Sequence, residues 1–298
     1  ALATGGEGAY AFAYSDDSYP RPEDGFGEPD QGFANDTISG GDGNDSIGGD
    51  ATAIADGGEY GMSYVFADAQ SVNAAIFGES QASVGSDTTE GGEGADAIGG
   101  DALAVASGGF YGGYVTADAD NTAYNDGTDT VAQAGNDIIY GDAADSEGVG
   151  EYGGNDTIGG DAAAIVDGGL FGSDAEAMAD NDAGSHDGEY GGDSRAGEDT
   201  IFAGGGSDRV AGDALAEARG EGGFAIATAT NTANGLEFGY VEAGGDVIIA
   251  DGGEGASGND SVGGDAAAFG DGAEGFSDNT AYGNGWAGGD YIVSGYGD

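Results

Sequence analysis

One segment recurs along this chain and constrains its fold more than any other feature. In its fullest form it reads Gly-Asn-Asp-x-Ile-x-Gly-Asp-Ala-x-Ala-x-Ala-x-Gly-Gly. With substitutions it occupies Gly43–Gly58, Gly94–Gly109, Gly154–Gly169, Gly206–Gly223 and Gly258–Gly272. Its first aspartates, Asp45, Asp96, Asp156, Asp208 and Asp260, stand 51, 60, 52 and 52 residues apart. A period of about 52 residues marks stacked units, each of which buries its core against its neighbours.

A second aspartate precedes each of these. Asp36 and Asp45 are nine residues apart, as are Asp87 and Asp96, and Asp199 and Asp208. Asp137 and Asp156, and Asp246 and Asp260, are the same pair spread by insertions, and Asp290 opens one further copy. A Gly-Asp step follows the Asp-x-Ile run at Asp50, Asp101, Asp161, Asp213 and Asp265, and Asp142 is read as one more such step.

The rest of the unit carries alternation of period two, as in Asp101-Ala102-Leu103-Ala104-Val105-Ala106, which predicts strands. An aromatic follows the Gly-Gly step at Tyr10, Tyr60, Phe110, Phe171, Phe224 and Phe276, and a shared packing column is expected there. Asn73, Asn121, Asn181, Asn231 and Asn279 recur at 48, 60, 50 and 48 residues, which predicts a stacked side-chain amide ladder. The expected fold is all-β, a parallel β-solenoid of about 5–6 coils with three or four short strands per coil. Residues 1–298 are expected to form one continuous solenoid. The repeat is cut open at both ends of the sequence, so a fragment or a head-to-tail subunit of a longer assembly is expected.

Gly40-Gly41-Asp42-Gly43-Asn44-Asp45-Ser46-Ile47-Gly48 and Gly91-Gly92-Glu93-Gly94-Ala95-Asp96-Ala97-Ile98-Gly99 both fit G-G-x-G-x-D-x-U-x, with U aliphatic. This nonapeptide resembles the repeats-in-toxin (RTX) calcium-binding family, whose repeats wind a parallel β-roll with calcium in the turns. The resemblance covers only the nonapeptide part of each unit. It implies Ca2+ as cofactor, at several sites. It implies as ligands Asp36, Asp45, Asp87, Asp96, Asp137, Asp156, Asp199, Asp208, Asp246, Asp260 and Asp290. The Gly-Asp residues Asp50, Asp101, Asp142, Asp161, Asp213 and Asp265 are further candidates.

Charge points the same way. The chain has 57 acidic residues, four arginines, no lysine and a formal net charge of -53, with 68 glycines and no cysteine. Such a balance disfavours folding, because little apolar surface is available to offset chain entropy. Bound cations are the expected remedy. The same charge excludes nucleic acid as a partner and disfavours anionic lipid, and no apolar run is long enough for insertion into a membrane as a helix. The lone His186 cannot make a zinc site, and no G-x-S-x-G elbow occurs, so an enzyme is not expected. Asn-Asp-Ser/Thr triplets at Asn35, Asn44, Asn155 and Asn259 arise from the turn itself rather than as glycosylation sites.

The expected role is structural: a secreted, calcium-stabilised repeat of an extracellular filament, surface layer or adhesin stalk at the cell surface. Self-association into a filament or lateral array is the expected partnership. The alternatives are a carboxyl-terminal export and folding module of a secreted RTX enzyme or toxin, and an adhesin segment binding cell-surface glycans.

Overall fold

In-register stacking of equivalent residues organises the residues that the computed structural model describes, namely 2–4, 8–16, 35–56, 63–75, 81–83, 86–108, 113–125, 131–142, 154–167, 174–185, 193–204, 207–219, 225–234, 240–251, 261–271, 274–282, 284–287 and 289–293. All regular elements among these residues are strands, and every pairing between them is parallel. The expected parallel β-solenoid is therefore the observed fold.

Each full coil has five sides, where the sequence suggested three or four strands. In one coil they are Thr88–Glu93, Ala97–Gly99, Ala102–Ser107, Gly113–Asn125 and Val131–Ala134, numbered in that order as the first to fifth sides. Equivalent strands of successive coils pair with one another, so each side is a continuous parallel sheet of five or six strands. The second side is only three residues long in this coil, and the fifth only four, too short for a periodic pattern to reveal them.

Alanine makes the middle of the coil thin. The third side alternates buried and less buried positions, as in Ala51–Asp56, and turns Ala51, Ala53 and Ala55 inward. The fourth side faces it with Val65, Ala67 and Ala69. The same pairs recur in later coils, so two sheets meet across a layer of methyl groups. A second, bulkier column of Ile98, Ile139, Ile158, Ile201, Val210 and Ile248 fills the space between the first and second sides. An alanine buries little apolar area, and a buried methylene contributes about 0.8 kcal/mol. Hydrogen bonding between coils must therefore carry much of the cohesion.

Of the expected aromatic column only Tyr10 and Phe276 lie among the described residues, and these two do not share a register. Tyr10 pairs in register with Phe66, whereas Phe276 pairs with Thr228, two positions further along the fourth side. Tyr60, Phe110, Phe171 and Phe224 lie outside the described residues. Phe12, Tyr64, Tyr114 and Phe276 are exposed on the outer face instead. One outer pair does stack: Tyr140 and Phe202, on the first side, have ring centroids 5.1 Å apart at an interplanar angle of 7°.

Candidate metal centre

Most aspartates of the repeat stand immediately before a strand. Asp36, Asp87, Asp137, Asp199, Asp246 and Asp290 precede the first-side strands, and Asp45, Asp96, Asp156 and Asp208 precede the second-side strands. Asp50, Asp101, Asp161, Asp213 and Asp265 precede the third-side strands. The three series form columns along the solenoid. Asp260 and His186 lie outside the described residues.

The first two columns are hydrogen-bond ladders. The amide of each aspartate donates to Oδ1 of the equivalent aspartate one coil on: Asp36 to Asp87 at 2.8 Å, Asp87 to Asp137 at 2.8 Å and Asp137 to Asp199 at 2.7 Å. Asp199 donates to Asp246 at 2.9 Å and Asp246 to Asp290 at 3.3 Å. The second column repeats this from Asp45 to Asp96, Asp156 and Asp208, at 2.8 to 2.9 Å. The preceding residue returns the bond. Oδ1 of Asn35, Asn44, Asn136 and Asn155 accepts from the amides of Ser86, Ala95, Glu198 and Ser207 in the next coil. An Asn-Asp turn thus joins coils in both directions, which accounts for the recurring dipeptide.

Glycine is needed where the backbone of one turn presses on that of the next. Gly92 and Gly94 hold φ at 114° and 148°, left-handed values natural only to glycine. Cβ atoms built there would overlap the carbonyls of Gly41 and Gly43 in the previous coil. These are turn glycines of the nonapeptide, so its spacing has a steric cause.

The first and third columns converge inside the solenoid. Three clusters result: Asp101, Asp137 and Asp161; Asp161, Asp199 and Asp213; and Asp213, Asp246 and Asp265, all buried. Within each cluster one carboxylate oxygen per residue lies within 4.8 Å of the others. Asp161 and Asp213 each belong to two clusters, so seven aspartates form one continuous file. Oδ2 of Asp137, Asp199 and Asp246 and Oδ1 of Asp101, Asp161, Asp213 and Asp265 are buried and accept no hydrogen bond. Buried carboxylate oxygens without partners are costly, because they lose hydration and gain nothing in return.

Electrostatics states the same cost. Burial, and then the charges of neighbouring aspartates, push the carboxyls of Asp101, Asp161 and Asp213 well above their ordinary value. Burial likewise raises Asp137 and Asp199, against hydrogen bonds from the Asp87 and Asp137 amides. It brings Asp246 to about 7 and Asp265 to about 8. Only an added positive charge, a proton or a metal ion, relieves this arrangement. The donor set fits a hard cation: it is all oxygen and anionic, with no nitrogen or sulfur. These clusters of buried aspartates could hold metal ions.

The placement departs from the nonapeptide expectation in three respects. The clusters join the first column to the third, whose Gly-Asp residues had less support from the resemblance. None of the three clusters contains a second-column residue. Oδ2 of Asp45, Asp96 and Asp156 is nevertheless buried without a hydrogen-bond partner. Asp142 is not a Gly-Asp column residue at all. It ends a first-side strand in register with Gly92, and its charge helps burial raise Asp156 to about 8.

The amide ladder forms with one correction. Asn121 Nδ2 donates to Asn181 Oδ1 at 3.2 Å, Asn181 to Asn231 at 3.2 Å and Asn231 to Asn279 at 3.4 Å. Asn73 is not in this column: it pairs with Ala123, and Ser71 takes the ladder position beside Asn121. The loops between sides vary in length, so spacing alone misplaces it by two residues.

No family model matches this sequence, and comparison with curated proteins and with solved structures finds no match. The resemblance to the RTX family therefore rests on the nonapeptide residues themselves.

Proposed function

We propose that this chain is a calcium-stabilised structural repeat, a stiff module of an extracellular filament, surface layer or adhesin stalk. The observation that carries the reading is the file of seven buried aspartates whose free oxygens converge in threes. Each coil contributes one first-column and one third-column aspartate, such as Asp199 and Asp213, hence two negative charges. One divalent ion per coil balances them. Calcium suits the file better than magnesium, because it accepts irregular oxygen geometry and sheds water more readily. Asp101, Asp137 and Asp161 would hold one ion, Asp161, Asp199 and Asp213 the next, and Asp213, Asp246 and Asp265 a third.

A metal that binds only the folded chain contributes its binding free energy to folding. In this reading the chain is unfolded where calcium is scarce and folds where it is plentiful, outside the cell. The acidic outer face, with Asp68 beside Asp118 and Asp120 beside Asp180 in register, supplies further carboxylates for bridging neighbouring solenoids.

Far-UV circular dichroism with calcium and with chelator tests the folding claim, and spectra that coincide would sink it. Electron microscopy of native material under the same conditions tests assembly. Fibres or sheets that vanish in chelator support the structural role, and dispersed monomers in calcium count against it.

A further inference from the structure

The fourth side sets a second row of polar side chains against the aspartate file, and the role of that row rests on the cation sites proposed for the file. Asn121 Nδ2 donates to Asp101 Oδ2 at 2.8 Å, and Asn181 Nδ2 to Asp161 Oδ2 at 2.5 Å. Asn231 Nδ2 donates to Asp213 Oδ2. In the preceding coil Ser71, which replaces asparagine in this column, donates its hydroxyl to Asp50 Oδ2 at 2.9 Å. The same contact is thus made four times by two kinds of side chain. In the three asparagine cases the bonded atom is Oδ2, and the atom left buried without a hydrogen bond is Oδ1.

We infer that Asn121, Asn181 and Asn231 are positioning residues for the cation file, and that Ser71 shows the same contact can be made by a hydroxyl. Each asparagine ties down one oxygen of its third-column aspartate and so presents the other to the ion. A carboxylate held by one oxygen can no longer rotate about its terminal bond, and its second oxygen is oriented before the ion arrives. The donors are neutral, which matters: a lysine here would cancel the charge that the cation needs. An amide also has two N–H groups. One serves the aspartate and the other the asparagine of the next coil, so neighbouring sites are joined through the ladder. Serine has a single hydrogen, which Ser71 gives to Asp50, and Asn121 Oδ1 is accordingly left without a donor. The carboxylate contact is therefore kept where the amide ladder ends.

Natural use of serine supplies the test. Asn181→Ala removes both hydrogen bonds, whereas Asn181→Ser restores the one to Asp161 alone. Calcium affinity and stoichiometry are measured by equilibrium dialysis on the full chain, with folding at saturating calcium checked by circular dichroism. Loss of an outer hydrogen-bond partner typically weakens metal binding about 10- to 100-fold. That loss is expected for Asn181→Ala with the number of ions unchanged, and Asn181→Ser is expected to recover most of it. Terbium luminescence gives a readout that a purely structural ladder would not move. The lifetime should shorten in Asn181→Ala, as water enters the loosened site, and return in Asn181→Ser. If Asn181→Ala does not fold, the pair Asn121→Ala and Asn121→Ser, at the end of the amide run, repeats the comparison. Unchanged affinity in the alanine variants, or serine variants no better than alanine, overturns the inference. A wild-type chain that binds no cation overturns the sites themselves, a distinct result.

Discussion

The amide of Asp137 donates to Oδ1 of Asp199, 2.7 Å away and one coil further on, while Oδ2 of Asp199 stays buried and accepts nothing. One carboxylate therefore holds two coils together and keeps an anionic oxygen in reserve. Adjacent parallel strands repeat about every 4.8 Å, so the reserved oxygens recur at a spacing that brings like charges close. The fold has an inbuilt conflict between backbone satisfaction and charge repulsion.

That conflict predicts a change of sign in one variant. Asp199→Asn keeps an oxygen for the Asp137 amide but removes the charge. Without calcium the variant should be more stable than wild type, by about 1–4 kcal/mol for one relieved repulsion between close charges. With calcium it should be less stable, having lost a ligand. The residual folded fraction by circular dichroism in chelator and urea unfolding in excess calcium measure the two, and a loss in both conditions would contradict the prediction.

Acid should replace the metal in part. The carboxyl of Asp120 stands at about 7 and those of Asp156 and Asp265 at about 8, raised from an ordinary 3.8 chiefly by burial. A group whose folded value is raised favours the folded state when protonated. Its stabilisation is complete below about 3.8 and is lost as pH rises through about 7 to 8. In chelator the folded fraction should therefore increase as pH falls from 8 to 4. In calcium the trend should flatten, since protons then compete with the ion. Circular dichroism across this range, with and without chelator, provides the check.

Steric limits on glycine are position-specific. A Cβ at Gly160 would overlap both the carbonyl of Gly212 and Asp199 Oδ2, and the backbone of the next coil cannot move away. Gly160→Ala should cost about 3 kcal/mol or more. At Gly245 the nearest atom to a new Cβ is Glu198 Cγ at 3.8 Å, and Gly245→Ala should change stability by less than about 0.5 kcal/mol. Thermal unfolding in calcium separates the two.

Glu217 is buried on the third side, in register with Ile165 and Phe269, and pairs with Arg209 at 3.3 Å and with Arg219. Thr157 also donates to it at 3.1 Å. Removing both arginines to alanine should cost about 3–5 kcal/mol, because an ionised carboxylate is left buried without a counter-charge. Glu217→Ile, which copies the preceding coil, should cost much less. Chemical denaturation of the two variants ranks them, and a reversed order would show that the arginines are not there to neutralise Glu217.

Much of the coil was legible because in-register stacking repeats residue types. The Asp-x-Ile and Gly-Asp-Ala signals mark the second and third sides directly, since each aspartate stands just before a strand. Asn121, Asn181, Asn231 and Asn279 were legible for the same reason. The fifth side was not: Val131–Ala134 is too short to show a period. Asn73 was misplaced because insertions between sides change the spacing without changing the register, and Asp142 because a Gly-Asp dipeptide looks alike in any side.

The residues alone determined that the chain is a solenoid, that its turns demand glycine, and that its aspartates recur with the period of the coil. Local chemistry suffices for those conclusions, because they depend on residue type and period. Which aspartates meet was decided only by the closed coil. Asp137 and Asp161 face each other across the same turn of the solenoid, and Asp101 reaches them from the coil before. No spacing encodes that approach, since it depends on how five sides bend the backbone round and on which oxygen each hydrogen bond has already taken.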